Sequence, residues 1–556
     1  MKRQRGVALI LVLMLTAVFL ILMGSLIDVL AIESQDAIES ANADSALTAA
    51  YSGVDLMVLS IEEFYQNGIQ NGNFPTEAFC GFNQPGGGTV TTSCHASVNG
   101  KRWQTASGLN YYLIDSTGDT QPELGSTNEE ITRSVRALVR QVPFGAYAMF
   151  TESEISNSDS HIWYSSGQSY GGPVYSGGNM HIRYDSAYSG CANGPPCPIF
   201  PFGFSTSGDP NRIQWFDVND NNTSPPTSSA ELAAVYGSGS HLNAVQNAIP
   251  LPGLAQNLAV FSEAYYGDDT HGDLTDLNDA GCGRTVCVNG GPQAQACGQT
   301  LCTGIFINGS ADVTSTAVPS ASGDLSSGTE TWTFTPGSGP NPIVGTVVIT
   351  VDFGAGTTTV NGTVYRGVAS GESSDGGSGN GAIFVNGDLT VADGSQVHGQ
   401  YTVAVPDPPQ NNESMTLDGS LTYANDPQSA NGSQDELALW ADKIWLTSND
   451  ARATIDGMLL TGFAGECNDK PKCGGYFANS FCNKHECDGG TGNLSLYGSI
   501  IENMRGKLGV VNAQGTPIGG YLRTATYDPR LGQTPPPFSP TTNLFSIVAV
   551  TDEGAP

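Results

Sequence analysis

The chain has 556 residues, with 53 acidic against 21 basic side chains and a formal net charge of −32. This balance excludes nucleic acid as a partner, because phosphate contacts need clustered Lys and Arg, and it disfavours docking on anionic lipid through a basic patch. Glycine reaches 70 residues without a collagen period and hydrophobic residues make up 39%, so neither a triple-helical rod nor global disorder fits.

The first predicted element is a membrane span. Lys2, Arg3 and Arg5 precede an uncharged run from Val7 to Ile27, close to the ~20 residues that cross the hydrocarbon core. Asp28, Glu33, Asp36, Glu39 and Asp44 follow, and the next basic residue after Arg5 is Lys101. Positive charge stays in the cytoplasm, so the bulk of the chain is expected outside. From Ser25 to Phe64 there is no Pro, Gly53 is the only Gly, and apolar or small residues such as Ile27, Leu30, Ala31, Ser34, Ile38 and Ala41 recur at helical spacing. A continuous helix from Val7 to Phe64 would be about 85 Å long, half in the membrane and half an amphipathic stripe against a head.

Three readings of this segment compete. A secretory signal peptide has a shorter core with a small-residue cleavage site directly behind it, and Ala41-Asn42-Ala43 lies well past the run. An unprocessed signal anchor is the second. The third is a type IV prepilin leader, short and basic, ending in Gly6 against the span. Arg3-Gln4-Arg5-Gly6-Val7-Ala8-Leu9-Ile10-Leu11-Val12-Leu13, with the small-residue tract from Ala41 to Gly53, resembles the N-terminus of PilX-type pilus assembly proteins. That resemblance implies cleavage after Gly6 by a prepilin peptidase, methylation of Val7, and other pilin subunits as partners. Most major pilins carry a Glu where this chain has Leu11, which points to a minor component.

Residues 66–142 are expected to form a small mixed α/β head. Gly86-Gly87-Gly88 marks a turn, and Thr89–Thr91, Leu109–Ile114 and Thr132–Val142 read as strands. Arg133, Arg136 and Arg140 lie on or near one face of the last, better explained as a half-buried surface strand than as an anion site.

From Phe144 onward short apolar runs alternate with Asn-Gly, Asp-Gly and Gly-Gly, signals for tight turns between strands. Val385-Asn386-Gly387-Asp388-Leu389, Leu417-Asp418-Gly419-Ser420-Leu421 and Thr454-Ile455-Asp456-Gly457-Met458 are examples. The repeated unit predicts a mainly β fold behind the long N-terminal helix, foremost a parallel β-helix or solenoid, with a sandwich as the alternative. Residues 143–312 form the first β-rich region, with short helices between Glu231 and Phe261. Residues 313–380 are a Ser/Thr/Gly-rich β insert ending in the linker-like stretch 372–381, and 381–556 are the solenoid-like C-terminal region.

The twelve cysteines come as close neighbours: Cys80/Cys94, Cys191/Cys197, Cys282/Cys287, Cys297/Cys302, Cys467/Cys473 and Cys482/Cys487. An even count in loops of an exported chain predicts disulfides, with local pairing as the simplest connectivity. A zinc cluster of Cys467, Cys473, Cys482, His485 and Cys487 is disfavoured by its loose spacing.

Gly172-Pro173-Val174-Tyr175-Ser176-Gly177-Gly178-Asn179, Gly498-Ser499-Ile500-Ile501-Glu502-Asn503, Arg505-Gly506, Gly519-Gly520-Tyr521 and Tyr527-Asp528-Pro529-Arg530-Leu531 resemble a family of exported β-rich domains without known chemistry, often fused behind a PilX-like N-terminus. The resemblance implies a β-helix-like fold and a cell-surface location. Asp528 and Arg530 are expected to satisfy backbone groups at the end of the solenoid.

Asp268, Asp269 and Asp273, with Asp276 and Asp279, form the densest acidic group and a calcium candidate; Asp217–Asn221 and Asp115–Asp119 are weaker ones. Turn-forming Asp is the competing explanation, and no other cofactor is expected. No Gly-x-Ser-x-Gly, His-Glu-x-x-His or Gly-x-x-x-x-Gly-Lys pattern occurs, so catalysis is not expected. The leading expectation is a single-pass, pilin-like structural component in the inner membrane. A signal-anchored adhesin for surface glycans and a β-helix carbohydrate-active enzyme are the alternatives.

Overall fold

The computed structural model describes residues 4–66, 74–83, 91–104, 109–120, 131–156, 162–164, 168–183, 199–208, 212–216, 222–236, 243–246, 248–268, 271–371, 380–406, 413–447, 452–463, 475–481, 491–511 and 517–554. The Gly86–Gly88 turn, Asp217–Asn221, Asp269 and most of the 372–381 stretch fall outside them. Two compact units emerge, one of residues 1–103, 110–141 and 543–556, the other of residues 104–109 and 142–542.

The first unit is a helix on a sheet. Helix α1, Gln4–Gln66, runs for 63 residues without interruption, as the absence of Pro and the helical spacing predict. An antiparallel sheet has the order β1 (Glu77–Asn83), β2 (Thr91–Gln104), β3 (Asn110–Thr120), β4 (Ile131–Pro143), then the C-terminal strand Thr541–Gly554. Strand β3 alternates between buried and half-buried positions along its whole length, the period-2 pattern of a one-sided sheet.

The buried side of α1 is built from Ala46, Ala49, Ala50, Val54, Met57 and Ile61, which meet Tyr112, Ile114, Val135, Ala137 and Val139. Small residues are required here because the backbones approach closely. A Cβ on Gly53 would collide with Ser116 Oγ, and one on Gly118 with the Ala46 carbonyl. Cys80 and Cys94 face each other across β1 and β2 and are joined as a disulfide. Arg136 on β4 pairs with Asp115 at 2.6 Å and Glu553 at 2.7 Å, so this arginine is engaged by carboxylates on the sheet surface.

The second unit is mainly β and mainly parallel. Its longest path of paired strands runs Asn243–Gln246, Phe204–Ser207, Val174–Ser176, β5 (Met149–Ser156), Thr491–Arg505, Arg452–Thr461, Glu436–Ala441, Gln400–Ala404, Ala382–Val385 and Ile305–Ile307, each parallel to the next. The pairing registers place Ile305, Ile383, Val403, Leu439, Leu459, Ile500, Met149, Val174 and Phe204 in one continuous column. No member of it is more than 3% exposed. The opposite face is buried too: helix Leu254–Tyr265 sets Phe261 against Phe306 and Phe384. Burial on both faces explains why these strands read as continuous apolar runs. A second parallel ladder joins Ala311–Pro319, Leu389–Val391, Ser414–Leu417, Lys443–Leu446 and Tyr476–Asn479.

Residues beyond Val313 in the strand Ala311–Pro319 leave this ladder and open an antiparallel meander with Gly328–Pro336, Val347–Asp352, Thr357–Val360 and Thr363–Arg366. Strands Gly328–Pro336 and Val347–Asp352 cover most of the stretches 331–335 and 342–353 whose alternation reads as β. Helices Ser229–Tyr236 and Leu254–Tyr265 lie where short helices were expected.

The Asn-Gly and Asp-Gly dipeptides differ from expectation in one respect. They were read as tight turns, yet Asn386-Gly387 joins Ala382–Val385 to Leu389–Val391, which belong to different sheets. Asp418-Gly419 likewise joins Ser414–Leu417 to Leu421–Tyr423 of another sheet, so these two are corners, whereas Asn361-Gly362 is a tight turn between the antiparallel strands Thr357–Val360 and Thr363–Arg366. Gly457 and Gly498 are paired inside the adjacent strands Arg452–Thr461 and Thr491–Arg505, with φ of +136° and +151°. A Cβ on Gly498 would collide with the Gly457 carbonyl, while one on Gly394, also at positive φ, meets open space. Gly498→Ala is expected to cost about 2–4 kcal/mol through strain and overlap, and Gly394→Ala about 1 kcal/mol, read from denaturant unfolding of the two variants.

Candidate functional sites

Four places in the chain carry functional expectations. The first is the free half of α1. The stretch Val12–Tyr65 is long and apolar enough to cross a membrane, with a mean hydropathy of 2.4 in its most apolar window. Leu13, Phe19, Leu22 and Ile27 are all more than 60% exposed, so none of the described residues covers them. Gly6 and Val7, the expected processing residues, lie on the backbone of the same helix near its start.

The second is where the segments of the second resemblance meet. Val174–Ser176 and Ile500–Glu502 flank β5 on either side, and Tyr527 packs onto Gly172 so closely that a Cβ there would enter its ring. Tyr527 also donates to the Gly145 carbonyl at 3.0 Å. Inside this junction Arg505 and Glu154 form a buried ion pair at 3.3 Å, with side chains 5% and 1% exposed. Tyr164 donates to Glu154 at 2.6 Å, the guanidinium donates to Tyr170 Oη at 3.0 Å, and it lies 4.3 Å over the Tyr164 ring. Asn503 donates to Glu152 at 2.9 Å. Burial pushes the Glu502 carboxyl up to about 7, although the Phe477 and Gly506 amides donate to it. Every group is satisfied by the chain itself, so the cluster is a lock between distant segments. Removing one member strands the other charge: Arg505→Ala is expected to cost about 3–5 kcal/mol. Glu154→Gln with Arg505→Met is expected to recover more than half of that in denaturant unfolding.

The third is a buried polar run along the second unit. Asp528 caps the 3₁₀ turn Pro529–Gly532 and holds Arg530 through Nε at 3.0 Å and Nη2 at 2.6 Å. Arg530 also donates to the Ser433 carbonyl and lies 5.4 Å over Tyr423. Further along, Thr534 donates to Glu436 at 3.1 Å and Thr402 donates to the Pro537 carbonyl. The segment thus runs along strands in the middle of the parallel ladder and is not placed on its terminal strands, Asn243–Gln246 and Ile305–Ile307. This corrects the expectation that Asp528 and Arg530 cap the end. Nearby, His398 Nδ1 and Asp435 are 2.9 Å apart, both fully buried, and Glu330 accepts from Tyr401, Ser315 and the His398 amide. Sequence inspection missed this network because its members are scattered single residues; only the close spacing of Tyr527-Asp528-Pro529-Arg530 gave a signal.

Burial pushes Glu330 and Glu436 up to about 8 and Asp456 up to about 6. Burial alone pushes His398 down, but its hydrogen bonds to Asp435 and to the Ser327 carbonyl outweigh that and leave it raised. A carboxyl raised in the folded state holds its proton there after the unfolded chain has released it, so folding loses stability as pH rises from the unfolded value to the folded one. The raised imidazole acts in the same direction. The unfolding midpoint of this unit is expected to be higher at pH 5 than at pH 8.5, with Glu330→Gln flattening the dependence.

The fourth is the acidic and cysteine-rich stretch. Asp268 accepts from Ser262 Oγ at 3.2 Å and lies 2.9 Å from His271 Nδ1, whose ring stacks on Tyr266. Asp273 caps the helix Leu274–Asp279, accepting from the Thr275 and Asp276 amides at 2.7 and 2.9 Å. The two carboxylates thus serve local turns, and no cluster of three metal-binding side chains occurs among the described residues. Cys282–Cys287 and Cys297–Cys302 are joined locally. Cys191, Cys197, Cys467, Cys473, Cys482, His485 and Cys487 lie outside the described residues.

No family model matches the chain. No curated protein matches it either. Among solved structures it is similar to the competence-associated pilin ComZ from Thermus thermophilus, at 13% identity and a TM-score of 0.28, over 93% of this chain and 98% of that one.

Proposed function

We propose that the chain is a pilin-like structural subunit of a type IV pilus system, inserted once in the inner membrane by α1 and presenting a large exported β domain. The observation that supports this most directly is the division of α1. Its first half is apolar and uncovered, while its second half carries the alanines and Gly53 that pack on the sheet. The basic residues before the span and the acidic ones after it support a cytoplasmic start and an exported remainder, in which the local disulfides form. On this reading a prepilin peptidase cuts after Gly6, Val7 becomes the methylated N-terminus, and other pilin subunits pack against the exposed helix once it leaves the bilayer. The absence of Glu at Leu11 makes it a minor or tip-associated subunit.

The parallel ladders support a β-helix for the exported domain, its corners formed by the stacked Gly-containing dipeptides. The role is structural, with no reaction and no resident cofactor assigned. Co-expression of the full chain with a prepilin peptidase is expected to yield an N-terminus beginning at methylated Val7 by mass spectrometry, and Gly6→Leu is expected to block it. An intact Met1 in the presence of active peptidase would overturn the reading.

A further inference from the structure

We propose that a cleft beside the Cys282–Cys287 loop binds a neutral sugar unit of a surface polysaccharide. The cleft has a volume of about 410 Å³ and is lined by asparagines 278, 308, 341 and 386, by Arg284 and Glu413, and by Leu274 and Leu277. That size lies within the ~300–1,000 Å³ usual for small-molecule sites.

The amides are fixed before any ligand arrives. Asn308 and Asn386 stand at stacked corners, each followed by a glycine at positive φ, Gly309 at +130° and Gly387 at +157°. Asn386 Nδ2 donates to Asn308 Oδ1 at 3.0 Å, and Asn308 Nδ2 donates to the Cys282 carbonyl at 2.5 Å. Asn341, itself at φ +52°, accepts from Arg284 at 3.0 Å. The loop carrying Arg284 is closed by the Cys282–Cys287 disulfide and tied down by Val344 N to Arg284 O at 2.7 Å and Asn308 N to Thr285 O at 3.0 Å. These contacts use one polar end of Asn341 and of Asn386, leaving Asn341 Nδ2 as a donor and Asn386 Oδ1 as an acceptor for vicinal hydroxyls. Such fixed groups lower the ordering cost of binding.

Charge selects the class. Among the described residues the lining holds one cation, Arg284, and one carboxylate, Glu413, so it favours a ligand without net charge. Leu274 and Leu277 supply an apolar wall for the C–H face of a pyranose. No aromatic ring among the described residues lines the cleft, so affinity in the range of about 1 mM is expected. This proposal does not depend on processing at Gly6 or on pilus assembly.

The test uses the full chain in a sugar-free detergent, with lactose, cellobiose and N,N′-diacetylchitobiose as neutral probes and digalacturonate as the charged one. Binding is followed by saturation-transfer NMR. At least one neutral disaccharide is expected to bind, and Asn386→Leu and Arg284→Met are each expected to weaken it tenfold or more. Asn278→Trp, on the exposed side of the short helix Leu274–Asp279, is expected to block the cleft without touching the ladder, which covers the case in which Asn386→Leu disturbs folding. No binding of any neutral probe, unchanged binding in Asn278→Trp, or tighter binding of digalacturonate would each overturn the proposal.

Discussion

The second unit depends on the register of one parallel ladder. Parallel pairing fixes which residue lies over which, and here it aligns one apolar side chain from each of nine strands into a single column. A slip by one residue in any strand would turn its apolar residue out of the column and bring its neighbour in. A glycine pair opposes such slips. A Cβ on Gly498 would collide with the Gly457 carbonyl and one on Gly457 with the Leu437 carbonyl, so neither paired position admits a side chain. Column and glycine pair specify the same register from two independent physical causes, sidechain burial and backbone exclusion.

The first unit uses a different device for the same purpose. Small residues on α1 let the helix lie directly on β3, and the disulfide between Cys80 and Cys94 ties the outer strands. Because small side chains make a thin interface, the helix is held by shape over about four turns, from Ala46 to Ile61, while its other half is left exposed by the described residues.

Much of this was legible in the sequence, and for local reasons. The 63-residue helix follows from a long stretch free of proline, and the meander from alternation at Thr331–Thr335 and Pro342–Phe353. The disulfides Cys282–Cys287 and Cys297–Cys302 follow from proximity in the chain. What was not legible is non-local. A corner and a hairpin use the same Asn-Gly dipeptide, and only the partner strand distinguishes them. The Glu154–Arg505 pair joins positions 351 residues apart, and Glu330 reaches Tyr401 across 71. Asp268 and Asp273 stand out because acidic residues cluster in sequence, but spacing alone does not reveal that one holds His271 and the other caps the helix Leu274–Asp279.

The order of strands in the ladder also governs how the chain comes to fold. Position numbers fall from 243 to 149 along one part of the ladder, then jump to 500 and fall again to 305. β5 is the first strand of this unit to be made, yet its neighbour Thr491–Arg505 is made some 350 residues later. Until then one edge of β5 is unpaired, and it is the kind of edge that recruits other chains. Closing so long a loop is slow but adds little entropy cost beyond a shorter one, since that cost grows only with the logarithm of length. The hazard is therefore one of time spent open: the chain has to reach Arg505 before the buried ion pair with Glu154 can fasten this edge.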